Sequence, residues 1–496
     1  MKISAYAKYR LLEIFPGFLV WLTFILAIGL SFWQPIYVIY FIIVFDFYWL
    51  MKVVYLTVHL LFSWHKYREA SKHDWWQKVQ QLTDKNWSDY YHLIFYPTYK
   101  EPFEVIDRAF EFLTKSHYDL NKLIVILGGE ERDQKNFREI AEKIRQKYSN
   151  KFHRLLITVH PKGVEEEMPG KGSNMNYMGR RAKELVDELG LAYEKVIVSA
   201  FDIDTCVHPQ YFANLTYTFL HHPNPTQASY QPLTVYHNNV WESDPITRVV
   251  AGSTTFWLMT EFARSERLFT FSSHSMSFKA LVDVGFWQKD IVTEDSRIFL
   301  QGFIYYDGDY EVVPLYIPVS MNTVYIGKLR RSLVNQYKQM RRWGWGVEHF
   351  PYMVWNFLKN KAIPRTKKIR YLWNQTEGMF SWATAPILIL ILGRLPLWVI
   401  GFYSPEQVVV QNAPIILQWL MTFAMVGLIL MAIFGTVMLP PKPKKLPKWQ
   451  YLVVFLQWIL FPLTTIIFGS LPAIDAQTRL MLGGKFRLGF WVSEKK

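Results

Sequence analysis

Five apolar runs bracket a long, more polar middle, and they restrict this chain to folds that a lipid bilayer can hold. Residues 14–33 are almost wholly apolar, and about 20 such residues cross a hydrocarbon core of ~30 Å. Pro35 follows in a very short connection, and 36–50 begins a second run, interrupted by Asp46 and Lys52. Two more runs cover 379–403 and 415–439, and a fifth covers 451–472. Composition agrees with a membrane setting: 51% of residues are hydrophobic and 17% aromatic, more apolar surface than a soluble globule of this size hides easily. The first run is followed closely by another with no small-residue cleavage site, so it reads as an anchor rather than a signal peptide. The single cysteine, Cys206, forms no intramolecular disulfide and implies no oxidising compartment.

The net charge of +14 is explained by where the cations lie. Lys2, Lys8 and Arg10 precede the first run, and Lys359, Lys361, Arg365, Lys367, Lys368 and Arg370 precede the third. Lys442, Lys444, Lys445 and Lys448 follow the fourth, whereas the 403–414 connection has no Lys or Arg. The positive-inside rule therefore puts the N-terminus, the central block and the 440–449 loop in the cytosol. Charge beside membrane spans needs no nucleic acid, and none is expected as a partner; membrane lipids are.

Between the spans, strand-like apolar runs at 92–96, 123–127, 155–159 and 196–200 alternate with helical faces. One face carries Ile106, Ala109, Phe110 and Leu113, another Phe137, Ile140, Ala141 and Ile144. Such alternation predicts a mainly parallel sheet covered on both faces, with ligands at the carboxyl ends of its strands.

The chemistry-bearing residues fall where those strands end. Asp202 and Asp204, at i and i+2 after the 196–200 strand, offer the hard oxygen ligands that a divalent cation prefers; a solvated turn would look the same. After the first strand, Pro97-Thr98-Tyr99-Lys100-Glu101 supplies an aromatic face for a base and an acceptor for a nucleoside, or is a Pro-bounded loop. Pro169-Gly170-Lys171-Gly172-Ser173-Asn174 opens a helix whose N–H groups, with Lys171, suit phosphate oxygens, without the spacing of an ATPase loop. Thr293-Glu294-Asp295 presents a candidate base in Asp295, or a helix cap in Thr293 or Asp295. Gln339-Met340-Arg341-Arg342-Trp343 pairs an anion-holding Arg342 with a flat apolar Trp343, or anchors a bilayer surface.

In this order, and bracketed by spans, the five motifs resemble glycosyltransferase family 2, in particular the processive membrane synthases typified by cellulose and hyaluronan synthases. The resemblance covers roughly 90–345 by motif and nearly the whole chain by layout. It implies an α/β fold of the type A glycosyltransferase kind, a mostly parallel Rossmann-like sheet inserted between transmembrane α-helices. It implies a nucleotide-diphosphate sugar donor, UDP-sugar favoured, with Mg²⁺ or Mn²⁺. Asp202 would contact the donor and, with Asp204, the metal; Asp295 would be the general base. Tyr99, Glu101, Glu130 and Lys171 would bind the nucleotide, and Glu294, Gln339, Arg342 and Trp343 would line the diphosphate and acceptor site. Phe490, Val492, Ser493 and Lys495 resemble the gating loop of cellulose synthases, which works on the cytosolic side; a basic amphipathic tail is the alternative.

That tail conflicts with counting five spans, as do Lys485, Arg487, Lys495 and Lys496. Pro462 and Pro472 are expected to break 451–472 into an interfacial or re-entrant segment, leaving four full spans. The expected organisation is then a transmembrane hairpin (1–65), a cytosolic glycosyltransferase domain (66–350), an interfacial helix region (351–375), a second hairpin (376–440), and a re-entrant or interfacial segment with a gating-like tail (441–496). Two departures stand out. Leu127-Gly128-Gly129-Glu130-Glu131 carries glutamates where the family has an Asp pair for base recognition, and His274 sits in the acceptor-side segment Phe271-Ser272-Ser273-His274-Ser275.

The expected activity is inverting, processive hexosyl transfer onto a growing polysaccharide, coupled to translocation across the inner or plasma membrane. Accessory export subunits are possible partners. One-sugar transfer to a lipid-linked or glycolipid acceptor is the alternative, and a non-catalytic transporter or scaffold is the second.

Overall fold

The computed structural model describes residues 4–403 and 408–489. Its centre is an eight-stranded sheet: β1 (Tyr91–Pro97), β2 (Leu123–Glu130), β3 (Arg154–His160), β4 (Val196–Ala200), β5 (Cys206–Val207), β6 (Ala228–Val235), β7 (His274–Ser277) and β8 (Glu311–Ser320). The spatial order is β3-β2-β1-β4-β7-β6-β8-β5. The four strands expected from apolar runs are all present and pair in parallel. Beyond β4 the sheet turns mixed: β7 runs antiparallel to both β4 and β6, while β8 returns parallel to β6.

Strand side chains alternate between two cores, which is why the parallel strands read as continuous apolar runs. Leu93, Phe95, Ile124 and Ile126 pack on one face with Met175, Met178 and Ala182. Ile94, Tyr96, Val125 and Leu127 pack on the other with Ile106, Phe110, Phe137 and Ile144, so both expected helical stripes face inward. The fold is thus the α/β class expected, mostly parallel, with apolar helices before and after it in the chain.

Among the described residues, four helices are long and apolar enough to cross a membrane: Ala5–Trp33, Pro35–Ala70, Val408–Val437 and Gln450–Leu482. A fifth candidate, Arg365–Leu390 with Leu392–Phe402, is bent by 45° at its break. The expected rupture of 451–472 does not occur. Pro462 falls in the first turn of the short helix Phe461–Thr465 and Pro472 in that of Leu471–Leu482, where a missing N–H costs least. A 3₁₀ turn at Gln457–Leu460 and a π turn at Ile466–Ser470 absorb the remaining mismatch.

This last helical run lies against the α/β unit. Arg248 Nε donates to Gln457 Oε1 at 2.9 Å, and Arg341 pairs with Asp475 at 2.9 Å. Gly344 permits a close backbone approach: a Cβ there would stand 3.2 Å from the Ala473 Cα. On its other side, Trp21 of the first helix donates to Thr478 at 2.9 Å.

Candidate active site

Most candidate side chains emerge where a strand of the sheet ends or where a helix begins beside it. Asp202 follows β4 directly, and Lys171 is the first residue of helix Lys171–Glu188. Asp295 lies in the first turn of helix Glu294–Tyr305, which follows β7. Gly172 lets the two helix starts close on each other, since a Cβ there would lie 2.9 Å from the Gln288 carbonyl and 3.3 Å from Glu294 Cβ.

The result is an acidic cluster built around one ammonium. Lys171 Nζ lies 2.7 Å from Asp202 Oδ1, 2.9 and 2.7 Å from the two Asp295 oxygens, and 3.8 Å from Glu294 Oε1. Burial alone would push this lysine's pKa down, but Asp202, Asp295 and Glu294 together hold it above the usual lysine range. Glu294 is raised to about 7, first by burial and then by the charge of Asp295, against the pull of Lys171 and Arg342. Its Oε2 is buried without a hydrogen-bond partner among the described residues, so a proton there is tolerated.

Behind Asp295 stands His274, fully buried. Ladder pairing with Ala200 sets it beside the strand that leads to Asp202. Its Nδ1 donates to the Phe271 carbonyl at 2.9 Å and lies 3.9 Å from Asp295 Oδ1. Burial depresses its pKa, so it stays neutral and packs beneath the cluster. Thr270 Oγ1 donates to the Asp295 carbonyl at 2.6 Å, a second fixing point for the same turn.

Asp204 takes a different direction from Asp202. Its Oδ2 accepts from the Asn322 N–H at 3.0 Å, and its carbonyl accepts from Asn238 at 2.8 Å. Tyr236, just past β6, links the two: burial raises its pKa, and both Asp202 and Asp204 add to that rise. Sequence reasoning passed over Tyr236, although it ends an apolar strand as Asp202 does.

The base-side expectations sit together at the ends of β1 and β2. Glu101 accepts from Thr98 Oγ1 at 2.7 Å and from the Tyr99 N–H at 2.6 Å, so it shapes the turn that presents Tyr99. Glu130 is buried and pairs with Arg132, whose guanidinium lies 4.6 Å from the Tyr99 ring centre. Arg132 is a further residue the sequence reading missed; the run Glu130-Glu131-Arg132 held the signal.

Gln339, Arg342 and Trp343 share helix Leu329–Gly344. Arg342 is near enough to oppose the rise in Glu294, and Trp343 packs with Val250, Met340 and Phe468. This helix therefore reaches the acidic cluster through Arg342, while its Trp343, an aromatic shelf, packs on the Gln450–Leu482 run. Thr293, expected as a possible cap, makes no cap bond to its own helix; its hydroxyl donates to Glu348 instead. Phe490, Val492, Ser493 and Lys495 lie outside the described residues. Leu488, just before them, packs with Val292 and Trp345.

Donor chemistry suits a hard divalent ion, because the acids near β4 offer only oxygen. Among the described residues no three His, Cys, Asp or Glu side chains converge as a metal site. Mg²⁺ commonly takes one or two carboxylates and completes its shell with substrate phosphates; here Asp202 is paired with Lys171, and Asp204 accepts from the Asn322 N–H.

The family model for glycosyl transferase family group 2 matches residues 197–471, more than half of the chain. The chain belongs to that family and is a glycosyltransferase. No curated protein matches it. Among solved structures it is similar to a mannosyltransferase from Pyrobaculum calidifontis in complex with GDP-Man and Mn²⁺, at 15% identity and a TM-score of 0.41, over 75% of this chain and 99% of that one. It is also similar to S. aureus TarS 1–349 in complex with UDP-GlcNAc, at 13% identity and a TM-score of 0.38, over 70% and 90% of the two chains.

Proposed function

We propose that this glycosyltransferase is a multi-pass enzyme of the inner or plasma membrane, working from the cytosolic face by inversion. It moves a hexose from a nucleotide-diphosphate sugar, a UDP-sugar by preference, to a growing polysaccharide, and it does so processively. The observation that carries this reading is the Lys171 ammonium bridging Asp202 and Asp295. It joins the carboxylate at the strand end to Asp295, in the first turn of helix Glu294–Tyr305.

Asp295 takes the proton from the acceptor hydroxyl as that oxygen attacks the anomeric carbon from the face opposite the leaving diphosphate. Lys171 and Arg342 supply positive charge where the diphosphate becomes an anion, in a partly buried setting that strengthens their pull. Mg²⁺ or Mn²⁺, held by Asp204 and Asp202, would add Lewis-acid neutralisation of the same leaving group. Trp343 offers its ring to an acceptor sugar, while Gln339, one turn earlier on the same helix, offers an amide to its hydroxyls. Tyr99, Glu101 and Glu130 line the nucleotide end.

The topology proposed places the N-terminus, the α/β unit and the tail in the cytosol. Gln450–Leu482 lies along the membrane surface or re-enters it, an assignment supported by its polar ties to Arg248 and Arg341. With four or five candidate spans the conduit is narrow, which favours single-sugar transfer to a lipid-linked acceptor as the second reading.

A panel of labelled UDP- and GDP-sugars, offered to the full-length protein in membranes, tests the proposal. Turnover of one donor with products of graded length is expected. Discrete one-sugar products would end the processive reading, and no turnover of any donor would end the catalytic one.

A further inference from the structure

Directly after the aromatic shelf the chain turns through a 3₁₀ segment, Trp345–Glu348, into helix His349–Lys359. The start of this stretch is tied, side chain by side chain, to the first turn of the helix that carries Asp295. Thr293 Oγ1 donates to Glu348 Oε1, while Trp345 Nε1 donates to Glu348 Oε2 at 2.9 Å. His349 Nε2 and Ser296 Oγ are 2.7 Å apart, and Arg297 Nε donates to His349 Nδ1 at 3.2 Å. Those two bonds fix the histidine: Nδ1 accepts, so Nε2 carries the proton and donates to Ser296. Arg297 also lies 3.8 Å from the Tyr352 ring centre and donates to Gln288 at 2.9 Å.

Every one of these polar groups is buried or nearly so, and Arg297 and His349 are 3% and 2% exposed. A polar network of this kind costs more than an apolar filling unless each member is satisfied, and here Thr293–Glu348, Ser296–His349 and Arg297–His349 all cross between the same two stretches. Helix Glu294–Tyr305 could have used Thr293 as its own cap. The hydroxyl goes to Glu348 instead.

We propose that Glu348 is a positioning residue, which locks the first turn of the Asp295 helix to the end of the Trp343 helix. It thereby sets the separation between the base and the shelf that holds the acceptor. The inference rests on the assignment of Asp295 as base. Productive transfer tolerates misplacement of only a fraction of an ångström, so releasing this lock lets the base and the acceptor hydroxyl fall out of line. Water, which can approach Asp295 without resting on the shelf, is affected less.

The test compares two reactions of the same full-length protein in membranes, using UDP-glucose or whichever UDP- or GDP-sugar of the panel the wild type turns over. One is sugar transfer to acceptor, and the other is hydrolysis of the donor by water with acceptor omitted. Glu348→Ala should lower kcat for transfer by about 10- to 100-fold, with the KM for donor within about twofold. Hydrolysis should fall several-fold less than transfer. Glu348→Gln keeps one acceptor for the Thr293 hydroxyl and should recover part of the transfer-to-hydrolysis ratio.

Equal losses in both reactions, tracking a lowered thermal midpoint, would overturn the positioning role and leave a purely structural one. If Glu348→Ala fails to reach the membrane, Glu348→Gln alone carries the same reading, and an unchanged ratio in it overturns the proposal. Asp295→Asn, assayed beside them, separates the two claims: retained transfer in that variant refutes the base, whatever Glu348 does.

Discussion

The two halves of the sheet were built by different rules, and they contribute different halves of the candidate site. The β3-β2-β1-β4 half is wholly parallel, with β1, β2 and β4 buried on both faces, and ends in Tyr99, Glu130 and Asp202, with Lys171 arriving from the helix after β3. The β7-β6-β8-β5 half is mixed, and it leads to Asp295, Tyr236, Asn322 and the shelf helix. In the first half each strand is a local apolar run, although β4 pairs with β1 across the strands and helices between them. In the second, β7 is inserted between β4 and β6 by pairings that local sequence does not encode. The proposed donor end thus rests on strands that local sequence declares, and the proposed base and acceptor end on a strand that only its packing reveals.

Perturbing one half at a time should separate those contributions. The largest effect belongs to Asp295→Asn, which should lower kcat by about 10²–10⁴-fold while nucleotide binding, a property of the other half, is kept. Titration with UDP checks the second part; a lost affinity would mean that the halves do not divide the work in this way.

Lys171→Met removes the one group that touches both sides. Transfer should fall by about 10- to 100-fold, with donor KM rising as kcat falls, because a buried charge-assisted set of bonds is removed and its acids are left facing one another. A change in kcat alone would assign Lys171 to the base and not to the donor.

A smaller effect is expected at the membrane-facing edge. Arg341→Gln breaks a partly exposed pair with Asp475, and activity in membranes should drop by no more than about fivefold. A complete loss would show that this edge holds the shelf in place by itself.

The smallest concerns Glu294 and is a matter of pH. Its folded-state pKa, about 7, lies above the ordinary carboxylate value of 4.5. The folded protein therefore holds the proton more tightly than the unfolded chain. This contribution to stability is complete below about pH 4.5 and is lost as pH rises through 7. Thermal melts from pH 5 to 8 should show the wild type losing ground against Glu294→Gln; parallel curves would contradict the shift.

What could be read beforehand follows the same division. Residues 92–96 and 123–127 declared themselves as strands because both faces are buried, and the stripes through Ile106 and Phe137 were equally plain. His274-Ser275-Met276-Ser277 did not, since three of its four residues are polar and its burial comes from β4 and β6 on either side. In the site, the residue types at strand ends were legible, but their partners were not. Lys171 suggested phosphate and is found among carboxylates, Thr293 suggested a cap and bonds across to Glu348, and Asp204 turns to Asn322. Glu348 itself lay beyond the last motif, with nothing nearby to mark it. Pro462 and Pro472 misled for a plainer reason: each falls in the first turn of a helical segment, where its missing N–H costs little.

The contact between Gly344 and Ala473 has a mechanical consequence. With no side chain between the two backbones there is no cushion to take up slack, so a shift of the apolar run passes undamped to the neighbouring tryptophan. On the proposed function, lipid thickness is then expected to enter the reaction: transfer rates should differ between bilayers of shorter and longer acyl chains.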